Sequence, residues 1–270
     1  MINKIIPLFG KRRGGGGGTL LLDLYPTDGA AFSLRYLRTA YIGSPVIRVR
    51  RSSDNLENDF TPDEITDGTL ESWVGVGNNG FISIFYDQSG NGRNGVQSVL
   101  AYQRILVNSG ILITTEGNPS DDYITGSRAY EITPFAFSAP FTIFALGKPD
   151  VNGSDFYQGE FNNGTSILND NITRFYGGNF ISITHSLGLS RILSYALFNG
   201  VSSEFNVNGF INSGDIGALT NPLNFGFAGY YKSSGQVFSG KFQEIIIYTS
   251  DQSSNSSSIL SDINTYYSVY

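Results

Sequence analysis

Apolar and polar residues alternate in the second half of the chain over short segments that turn residues separate. Residues 191–198, 201–207 and 210–211 show this strand-like pattern, with Asn-Gly pairs at 199–200 and 208–209 between them. An Asn-Gly pair supplies the positive φ angles that a tight hairpin turn needs. The pattern therefore predicts three successive antiparallel strands.

The last apolar segments predict closing strands and one helix. Residues 225–227 and 238–248 are strand-like, and residues 244–248 read Glu-Ile-Ile-Ile-Tyr, which predicts a strand buried on both faces. After the serine-rich stretch 250–258, apolar side chains recur at helical spacing and predict a short C-terminal helix. These side chains are Ile259, Leu260, Ile263 and Tyr267.

The first half of the chain predicts short helices near the N-terminus. Apolar residues recur at spacings of four, three and four from Ala30 to Tyr41, which favours a helix ending near Gly43. Residues 61–64 read Thr-Pro-Asp-Glu, a capping box with proline at the first helical position, and predict a helix running towards Trp73.

The remaining segments of the first half predict strands. Ile47 and Val49 fall on one face of a strand, and Arg48 and Arg50 fall on the other. Strands at this density with long apolar faces predict an all-β fold, a two-sheet antiparallel β-sandwich with short helices near the N-terminus and at the C-terminus. We expect one domain over residues 19–270. The further strand-like runs are residues 81–86, 105–114 and 141–146.

Composition supports the β class and excludes several kinds of function. The 270 residues include 20 Phe and 16 Tyr but one Met and one Trp, which favours strands. A net charge of −6 argues against nucleic-acid binding, because phosphates attract basic surfaces. The absence of cysteine excludes thiol catalysis, disulfides and cysteine metal sites. Because no apolar run reaches the length of a spanning helix and no secretory signal is visible, we expect no membrane insertion.

Residues 1–18 differ from the rest of the chain. Residues 1–13 carry four positive charges and no negative ones, and five glycines follow at positions 14–18. A glycine run behaves as a flexible tether, so one interpretation is an unstructured end. The other, which we adopt, is an anchor whose apolar side chains enter a groove on a partner while its basic ones meet an acidic rim. The anchoring side chains are Ile5, Ile6, Phe9, Lys11, Arg12 and Arg13.

Several segments resemble a known family. Residues 31–38 (AFSLRYLR), 47–54 (IRVRRSSD) and 86–92 (YDQSGNG) resemble the catalytic-domain pattern of the arabinofuranosidase B glycoside hydrolases. Residues 238–248 are similar to the closing strands of laminin-G-like modules. The resemblance covers about residues 20–270 and implies a concanavalin A-like jelly roll. Modules of this kind are frequent in phage structural proteins, including tail and head fibres.

The catalytic groups of the hydrolases do not carry over. Those enzymes place a general-acid aspartate in a glycine-rich turn before the last strands, whereas residues 229–235 contain no carboxylate. Asp155, Glu160 and Asp170 lie in surroundings unlike that of the family's nucleophile. Retaining hydrolysis needs two carboxyl groups about 5 Å apart. We therefore predict no catalytic residues and no enzyme, with an arabinofuranosidase-type hydrolase as the alternative.

Asp87 opens a segment that resembles a calcium loop. The first six residues nearly fit that pattern, but the twelfth position is Ser98 rather than glutamate. We instead predict a turn, with Asn91 inside it, in which Asp87 accepts backbone N–H bonds and pairs with Arg48 or Arg50. Asp54 is the other carboxylate expected to pair with these arginines. No metal site and no cofactor are predicted.

Other candidates for chemistry receive structural interpretations. His185 is the only histidine, which excludes metal sites with two histidines, and we expect it at the edge of a strand. A Ser-His-Asp triad would have to use it, yet no G-x-S-x-G segment is present. The acids Asp63 and Glu64 are expected to cap a helix. Asp121 and Asp122 are expected in a solvated loop.

Tyrosines are the remaining candidates for binding. Tyr157, Tyr230 and Tyr231 fall in predicted loops, where an exposed ring can stack on a sugar. Ordinary surface or subunit packing is the alternative.

We predict a virion protein of a phage, a head or tail fibre or decoration subunit. It would assemble in the host cytoplasm as a homo-oligomer, contact other capsid or tail proteins, and bind host surface polysaccharide on the particle exterior.

Overall fold

The computed structural model describes residues 19–135, 138–151, 154–159, 164–169, 172–217, 225–230 and 237–270. Most of these residues lie in β-strands, and the helices are few and short. None of the helices in these ranges has the length and apolar character needed to cross a membrane. The predicted anchor at residues 1–18 lies outside the described residues.

Twenty-two strands and four α-helices follow one another along the described chain. The first eleven strands are β1 (Ala30–Ser33), β2 (Ile47–Arg51), β3 (Glu57–Phe60), β4 (Gly80–Phe85), β5 (Gly95–Val96), β6 (Arg104–Asn108), β7 (Ile111–Leu112), β8 (Thr114–Thr115), β9 (Asn118–Pro119), β10 (Asp121–Asp122) and β11 (Tyr130–Ile132). The others are β12 (Phe141–Pro149), β13 (Ser154–Gly159), β14 (Gly164–Asn169), β15 (Ile172–Tyr176), β16 (Phe180–Thr184), β17 (Ile192–Phe198), β18 (Ser203–Val207), β19 (Phe210–Gly214), β20 (Phe225–Phe227), β21 (Gly229–Tyr230) and β22 (Gly240–Tyr248). The helices are α1 (Leu21–Leu24), α2 (Pro62–Thr66), α3 (Thr69–Val74) and α4 (Ser256–Tyr267).

Strand pairing builds two layers. In the first, here called the helix-side sheet, β22 lies between β12 and the pair β1 and β10, and the order continues from β12 through β17 and β18 to β19. The opposite sheet runs β3-β2-β4-β5-β11-β20-β13-β14-β15-β16. Strand β6 joins the layers because it pairs with both β4 and β10. The pairs are antiparallel except that β21 runs parallel to β13.

The main hydrophobic core fills the space between the layers. Phe85 and Tyr130 of the opposite sheet meet Phe242 of the helix-side sheet in one buried aromatic group. Phe227 stacks on Phe32 at a centroid distance of 4.6 Å. Offset and edge-on ring pairs of this kind add to the burial of their apolar area. The predicted two-sheet antiparallel β-sandwich is confirmed.

A second core lies on the outer face of the helix-side sheet. Ile246 and Tyr248 of β22 point to this face, whereas Ile245 and Ile247 point to the main core. The outward side chains are covered by α1 and by the buried side of α4. Residues 244–248 are therefore buried on both faces, as predicted, and the C-terminal helix is what buries the second face. The predicted apolar side of that helix is confirmed for Ile259, Leu260, Ile263 and Tyr267.

A buried ion pair ties three distant parts of the chain together. The Arg35 guanidinium donates to both carboxylate oxygens of Glu244 on β22, at 2.8 and 3.0 Å, and to Asp262 on α4 at 2.9 Å. Ser33 and Tyr267 add hydroxyl contacts to the Glu244 carboxylate at 2.8 and 3.2 Å. The Glu244 carboxylate is thus paired with a cation and hydrogen-bonded by two hydroxyl groups, which allows it to lie inside a strand buried on both faces.

The predicted helix from Ala30 to Tyr41 is wrong. Residues 30–33 form β1, which pairs with β22 from Ala30↔Ile247 to Ser33↔Glu244, and only a 3₁₀ turn at Thr39–Tyr41 is helical. The apolar spacing imitates a helix because Leu34 and Leu37 are buried in two different cores. Pairing with a strand more than 200 residues away outweighs a weak local helical pattern.

Sequence signals for caps and turns, whose geometry is local, predicted the structure more accurately. Thr61 and Glu64 form the predicted capping box at the start of α2. The helix towards Trp73 is interrupted, however, because Gly68 adopts a φ of +94° between α2 and α3. The Asn208-Gly209 turn is tight, with φ of +49° and +88°. The turn after Asn199 is instead a 3₁₀ turn over Gly200–Ser202.

Removing Arg35 should destabilise the protein strongly. In the Arg35→Met variant the buried Glu244 carboxylate keeps its hydroxyl contacts but loses its cation, which typically costs about 3–5 kcal/mol. We expect a fall of that order in the free energy of unfolding, measured by urea denaturation followed by circular dichroism.

Arg48→Met is the matched control, because the Arg48–Asp59 pair is about one third exposed on both sides. It should cost less than about 1 kcal/mol. The double variant Arg35→Met/Glu244→Leu should regain much of the lost stability, since both buried charges are then gone. Equal losses in the two single variants would contradict this account.

Candidate functional site

Asp87 holds a turn next to the start of β1. Its Oδ1 accepts the backbone N–H groups of Ala31 and Ser89, both at 2.9 Å. Its Oδ2 accepts the N–H of Arg93 at 3.0 Å and the hydroxyl of Ser89 at 2.6 Å. The carboxylate is thus saturated by donors from the protein. The structure contains the predicted Asx-type turn.

The rest of the segment 87–93 also binds backbone. Asn91 Nδ2 donates to the carbonyl of Gly29 at 2.9 Å. Gln88 accepts from the N–H of Leu37 at 2.8 Å and donates to the carbonyl of Arg35 at 2.9 Å. These contacts fix residues 29–37, which comprise β1 and the segment after it that has no regular structure. The segment that most resembles the hydrolases therefore has a structural role here.

The predicted pairing of Arg48 or Arg50 with Asp87 or Asp54 is wrong. Arg48 donates to Asp59, its cross-strand partner on β3, at 2.7 Å. Arg50 donates to the side chains of Gln103 and Asn55 at 2.7 and 2.6 Å. Cross-strand register, which the sequence alone does not give, decides these partners.

Asp54 has another arginine as its partner. It receives Arg51 Nη2 at 2.7 Å, and that hydrogen bond lowers the pKa of Asp54 to about 2. Asp59 accepts the Tyr86 hydroxyl at 2.8 Å in addition to Arg48. Burial, followed by this hydrogen bond, raises the pKa of Tyr86 to about 12. These acids and this tyrosine belong to surface networks that hold strands together.

The predicted solvated loop at Asp121 and Asp122 is wrong. Both residues lie in β10, and Asp121 is fully buried. Asp121 accepts from Arg104 Nε at 2.8 Å and from the Tyr130 hydroxyl at 3.1 Å. Arg104 also donates to the carbonyl of Phe238 at 2.7 Å. These buried side chains link β6, β10 and β11 to the residues that precede β22.

Two acids from distant parts of the chain meet at Lys241. Its Nζ lies 3.1 Å from Asp122 and 3.3 Å from Asp150. Burial opposes the charge of Lys241, but its bonds and charge interactions with the two aspartates outweigh burial and raise the pKa of Lys241. Both carboxylates thus form ion pairs with the same ammonium group.

His185 is a buried residue directly after β16. Its Nε2 lies 3.0 Å from the Thr173 hydroxyl on β15.

Asp63 and Glu64 lie in the first turn of α2, as predicted, and Asp63 also accepts the Tyr36 hydroxyl at 3.2 Å. Within the described ranges, no group of three or more His, Asp and Glu side chains could hold a metal ion.

The structure describes two of the three tyrosines that were predicted to contact a sugar. Tyr157 and Tyr230 lie in strands, β13 and β21, rather than in loops. The two strands are neighbours, with Tyr157 opposite Gly229. Tyr231 lies outside the described residues, as do Ile5, Ile6, Phe9, Lys11, Arg12 and Arg13.

A polar groove of about 360 Å³ lies beside these strands. A methyl group placed on Gly229 of β21 would lie 3.3 Å from the backbone nitrogen of Ala129, which lines the groove. The structure thus brings the strand of Tyr230 to the edge of an open site. This site, here called the β5–β11 groove, is lined by Gln97, Ser98, Tyr102, Arg128, Glu131 and Thr133 among others.

Arg128 is held in the groove by an aromatic ring. Its guanidinium carbon lies 3.7 Å from the ring centroid of Tyr102, and its backbone N–H donates to the carbonyl of Tyr102 at 3.0 Å. In the part of the chain that the structure describes, the guanidinium has no hydrogen-bond acceptor. A cation on a ring face is attracted by the ring's quadrupole, which orients it without using its N–H donors.

Glu131 and Gln97 complete the polar lining. Glu131 is half-buried on β11, between Val96 of β5 and Gly226 of β20, and its carboxylate has no bonding partner among the described residues. Gln97 donates to the carbonyl of Ala129 at 2.8 Å and accepts the N–H of Val99 at 3.1 Å. The groove therefore has a fixed floor, and its guanidinium and its carboxylate form no hydrogen bond within the described residues.

Sequence patterns did not identify this groove. Tyr102 and Arg128 are 26 positions apart, and neither belongs to a recognised motif. Their contact depends on the loop at 124–128, where Arg128 donates to Tyr102 and Ser127 donates to Gln103. The one available signal was the cluster of charged residues at 128 and 131 around an apolar strand.

A scan against protein-family models matches no family, and a search of curated proteins gives no match. Among solved structures, the chain is similar to a GH54 α-L-arabinofuranosidase soaked with a cyclic sulfate inhibitor. The identity is 14% and the TM-score 0.62, over 93% of this chain and 65% of the other. A GH54 α-L-arabinofuranosidase mutant soaked with 4-nitrophenyl α-L-arabinofuranoside has a TM-score of 0.57 at 13% identity, over 91% and 63%.

A third similar structure is an arabinofuranosidase complexed with arabinofuranosyl-α-1,2-xylobiose. It has a TM-score of 0.54 at 14% identity, over 89% of this chain and 62% of the other. The chain therefore spans less than two thirds of the length of these structures. At such identities the likeness shows the fold alone, a β-sandwich of the concanavalin A-like kind that glycosidases also use.

Proposed function

We propose that the protein is a non-catalytic glycan-binding β-sandwich that forms part of a phage particle. The observation that supports glycan binding is the β5–β11 groove, whose floor is fixed by Gln97. Within the described residues, the Arg128 guanidinium and the Glu131 carboxylate form no hydrogen bond there. Sugars carry neighbouring hydroxyl groups that both donate and accept hydrogen bonds. A carboxylate and a guanidinium together provide for both directions.

The carboxylates that the structure describes in and near the groove favour binding over hydrolysis. In the groove, Glu131 is the one carboxylate among the described lining residues. Asp122 and Asp150 are brought together only with Lys241 between them, outside the groove. Hydrolysis with retention needs one carboxyl group to attack and a second to protonate the leaving oxygen. A single carboxylate can bind a sugar but cannot perform both steps.

Replacing Glu131 by glutamine should weaken glycan binding. The amide keeps the shape of the side chain but loses the charged acceptor, and a hydrogen bond to a charged group typically contributes enough for a roughly tenfold loss in affinity. The measurement is affinity electrophoresis against a panel of bacterial surface polysaccharides and plant glycans. Glu57→Gln, on the exposed part of β3, removes the same charge elsewhere and should leave binding unchanged. Identical mobility of all three proteins on every glycan that retards the wild type would contradict the assignment.

The attachment to a particle is proposed from residues 1–18. Their basic and apolar residues followed by five glycines favour an anchor segment that binds a partner. Anchored copies in a symmetric array would convert weak glycan contacts into avidity, which supports a homo-oligomer on the particle surface. Other capsid or tail proteins would be the partners of the anchor.

Deleting residues 1–18 should abolish incorporation into particles without affecting the fold. We expect the truncated protein to keep its circular dichroism spectrum and its unfolding midpoint and to be missing from purified particles. The full chain with Lys11, Arg12 and Arg13 changed to glutamine should be incorporated weakly, because charge contacts with the rim are lost. Normal incorporation of the truncated protein would overturn the anchor.

An arabinofuranosidase-type hydrolase is the second candidate, and the fold shared with GH54 enzymes over 93% of this chain is what favours it. Incubation with 4-nitrophenyl α-L-arabinofuranoside separates the two functions. We expect no release of nitrophenol above the rate in buffer. Release that one Asp or Glu substitution abolishes would establish the enzyme, and Asp155, Glu160 and Asp170 are the residues to change first.

A further inference from the structure

We propose that the glycan bound in the β5–β11 groove carries a carboxylate, and that Arg128 is the residue that binds it. This inference rests on the proposed glycan binding and adds the chemical class of the ligand. It predicts a preference for uronate-containing polysaccharides over neutral ones.

The position of Arg128 is what supports an anionic ligand. The guanidinium lies over the face of the Tyr102 ring at 3.7 Å, so the ring restrains the plane of the fork. The edges of that plane, where the N–H donors are, make no hydrogen bond within the described residues. A planar fork of this kind matches the two oxygens of a carboxylate, and a pre-oriented side chain loses less entropy on binding.

Other arginines of the described chain show the contrast. Arg35 and Arg104 are bound to carboxylates, and Arg191 donates to the carbonyls of Tyr267 and Ser268 at 2.8 and 2.7 Å. Arg93 also lies over a ring, that of Phe135 at 4.1 Å, but its guanidinium donates to the carbonyl of Gly29. Arg128 combines a ring support with unused donors in an open groove.

Glu131 favours a single negative charge surrounded by hydroxyl groups. Both residues line the β5–β11 groove. A sugar in the groove can therefore place its carboxylate on Arg128 while its hydroxyls meet the rest of the lining, which includes Glu131. A densely charged sulfate or phosphate polymer would instead bring further negative charges close to Glu131, which like-charge repulsion disfavours.

The experiment compares acidic polysaccharides with their methyl esters, which keep the backbone and remove the charge. Polygalacturonate, alginate and hyaluronan are each tested in both forms by affinity electrophoresis, together with arabinan and dextran as neutral glycans and dextran sulfate as a polyanion. We expect at least one acidic form to bind, its ester to bind about tenfold more weakly, and binding of the acid to weaken as salt rises.

Variants then assign the effect to Arg128. Arg128→Gln should reduce affinity for the acid about tenfold and affinity for the ester much less, because only the acid has a charge to lose. Arg128→Lys should restore binding only in part, because an ammonium lacks the fork. Arg174→Gln is the control, since Arg174 also lies over a ring, that of Phe180 at 5.6 Å, outside the groove.

The outcomes separate the two proposals. Binding of neutral glycans or esters as strongly as acids would overturn the carboxylate and leave glycan binding intact. Dextran sulfate binding more tightly than every uronate would also overturn it, in favour of general anion attraction. No retardation by any polysaccharide would overturn the carboxylate and the proposed function together.

Discussion

The burial of β22 on both of its faces is the constraint on which the rest of the structure depends. Ile245 and Ile247 enter the core between the sheets, and Ile246 and Tyr248 enter the core beneath α4. A strand of this kind needs partners on both edges and cover on both faces. The pairing with β1 and β12, and the packing of the first and last helices onto one sheet, all satisfy that need.

Strand β22 also contains a buried charge, that of Glu244. The groups that bind it connect β22 to the segment after β1 and to α4. Glu244 is buried, so Arg35 from the segment after β1 and hydroxyls from β1 and α4 must reach it. The second buried pair, Arg104 and Asp121, repeats the solution beside the other end of β22. In a chain with 15% charged residues, many of the described arginines thus serve the fold. The Arg128 guanidinium differs from these, because within the described residues it has no hydrogen-bond acceptor.

The likeness to arabinofuranosidases is a likeness of fold, and it does not by itself carry a function. The segment 86–92 fixes residues 29–37 through Asp87, Gln88 and Asn91, and these contacts are required by the sandwich whether or not it cleaves a sugar. Carboxylates that cleave bonds, by contrast, contribute nothing to the packing of the sheets. A fold can therefore keep the first set and change the second, and function has to be argued from the groove.

How far the sequence predicts this protein depends on the range of the interaction involved. The capping box at Thr61, the Asn208-Gly209 turn, the turn at Asp87 and the doubly buried run at 244–248 are local signals, and each was predicted from the residues themselves. The all-β class followed from them. Register was not local: β1 was mistaken for a helix, Arg48 was given the wrong acid, and Asp121 was placed in solvent although it is buried.

The sequence by itself determined the all-β class and the features whose geometry is local, such as the capping box at Thr61 and the turn at Asn208-Gly209. Only the tertiary structure decided which side chains meet, because contacts across a sheet depend on pairings between residues tens to hundreds of positions apart. The groove is the clearest case. Tyr102, Arg128 and Glu131 become one site only when β5 and β11 pair and the loop at 124–128 folds back onto residues 102–103.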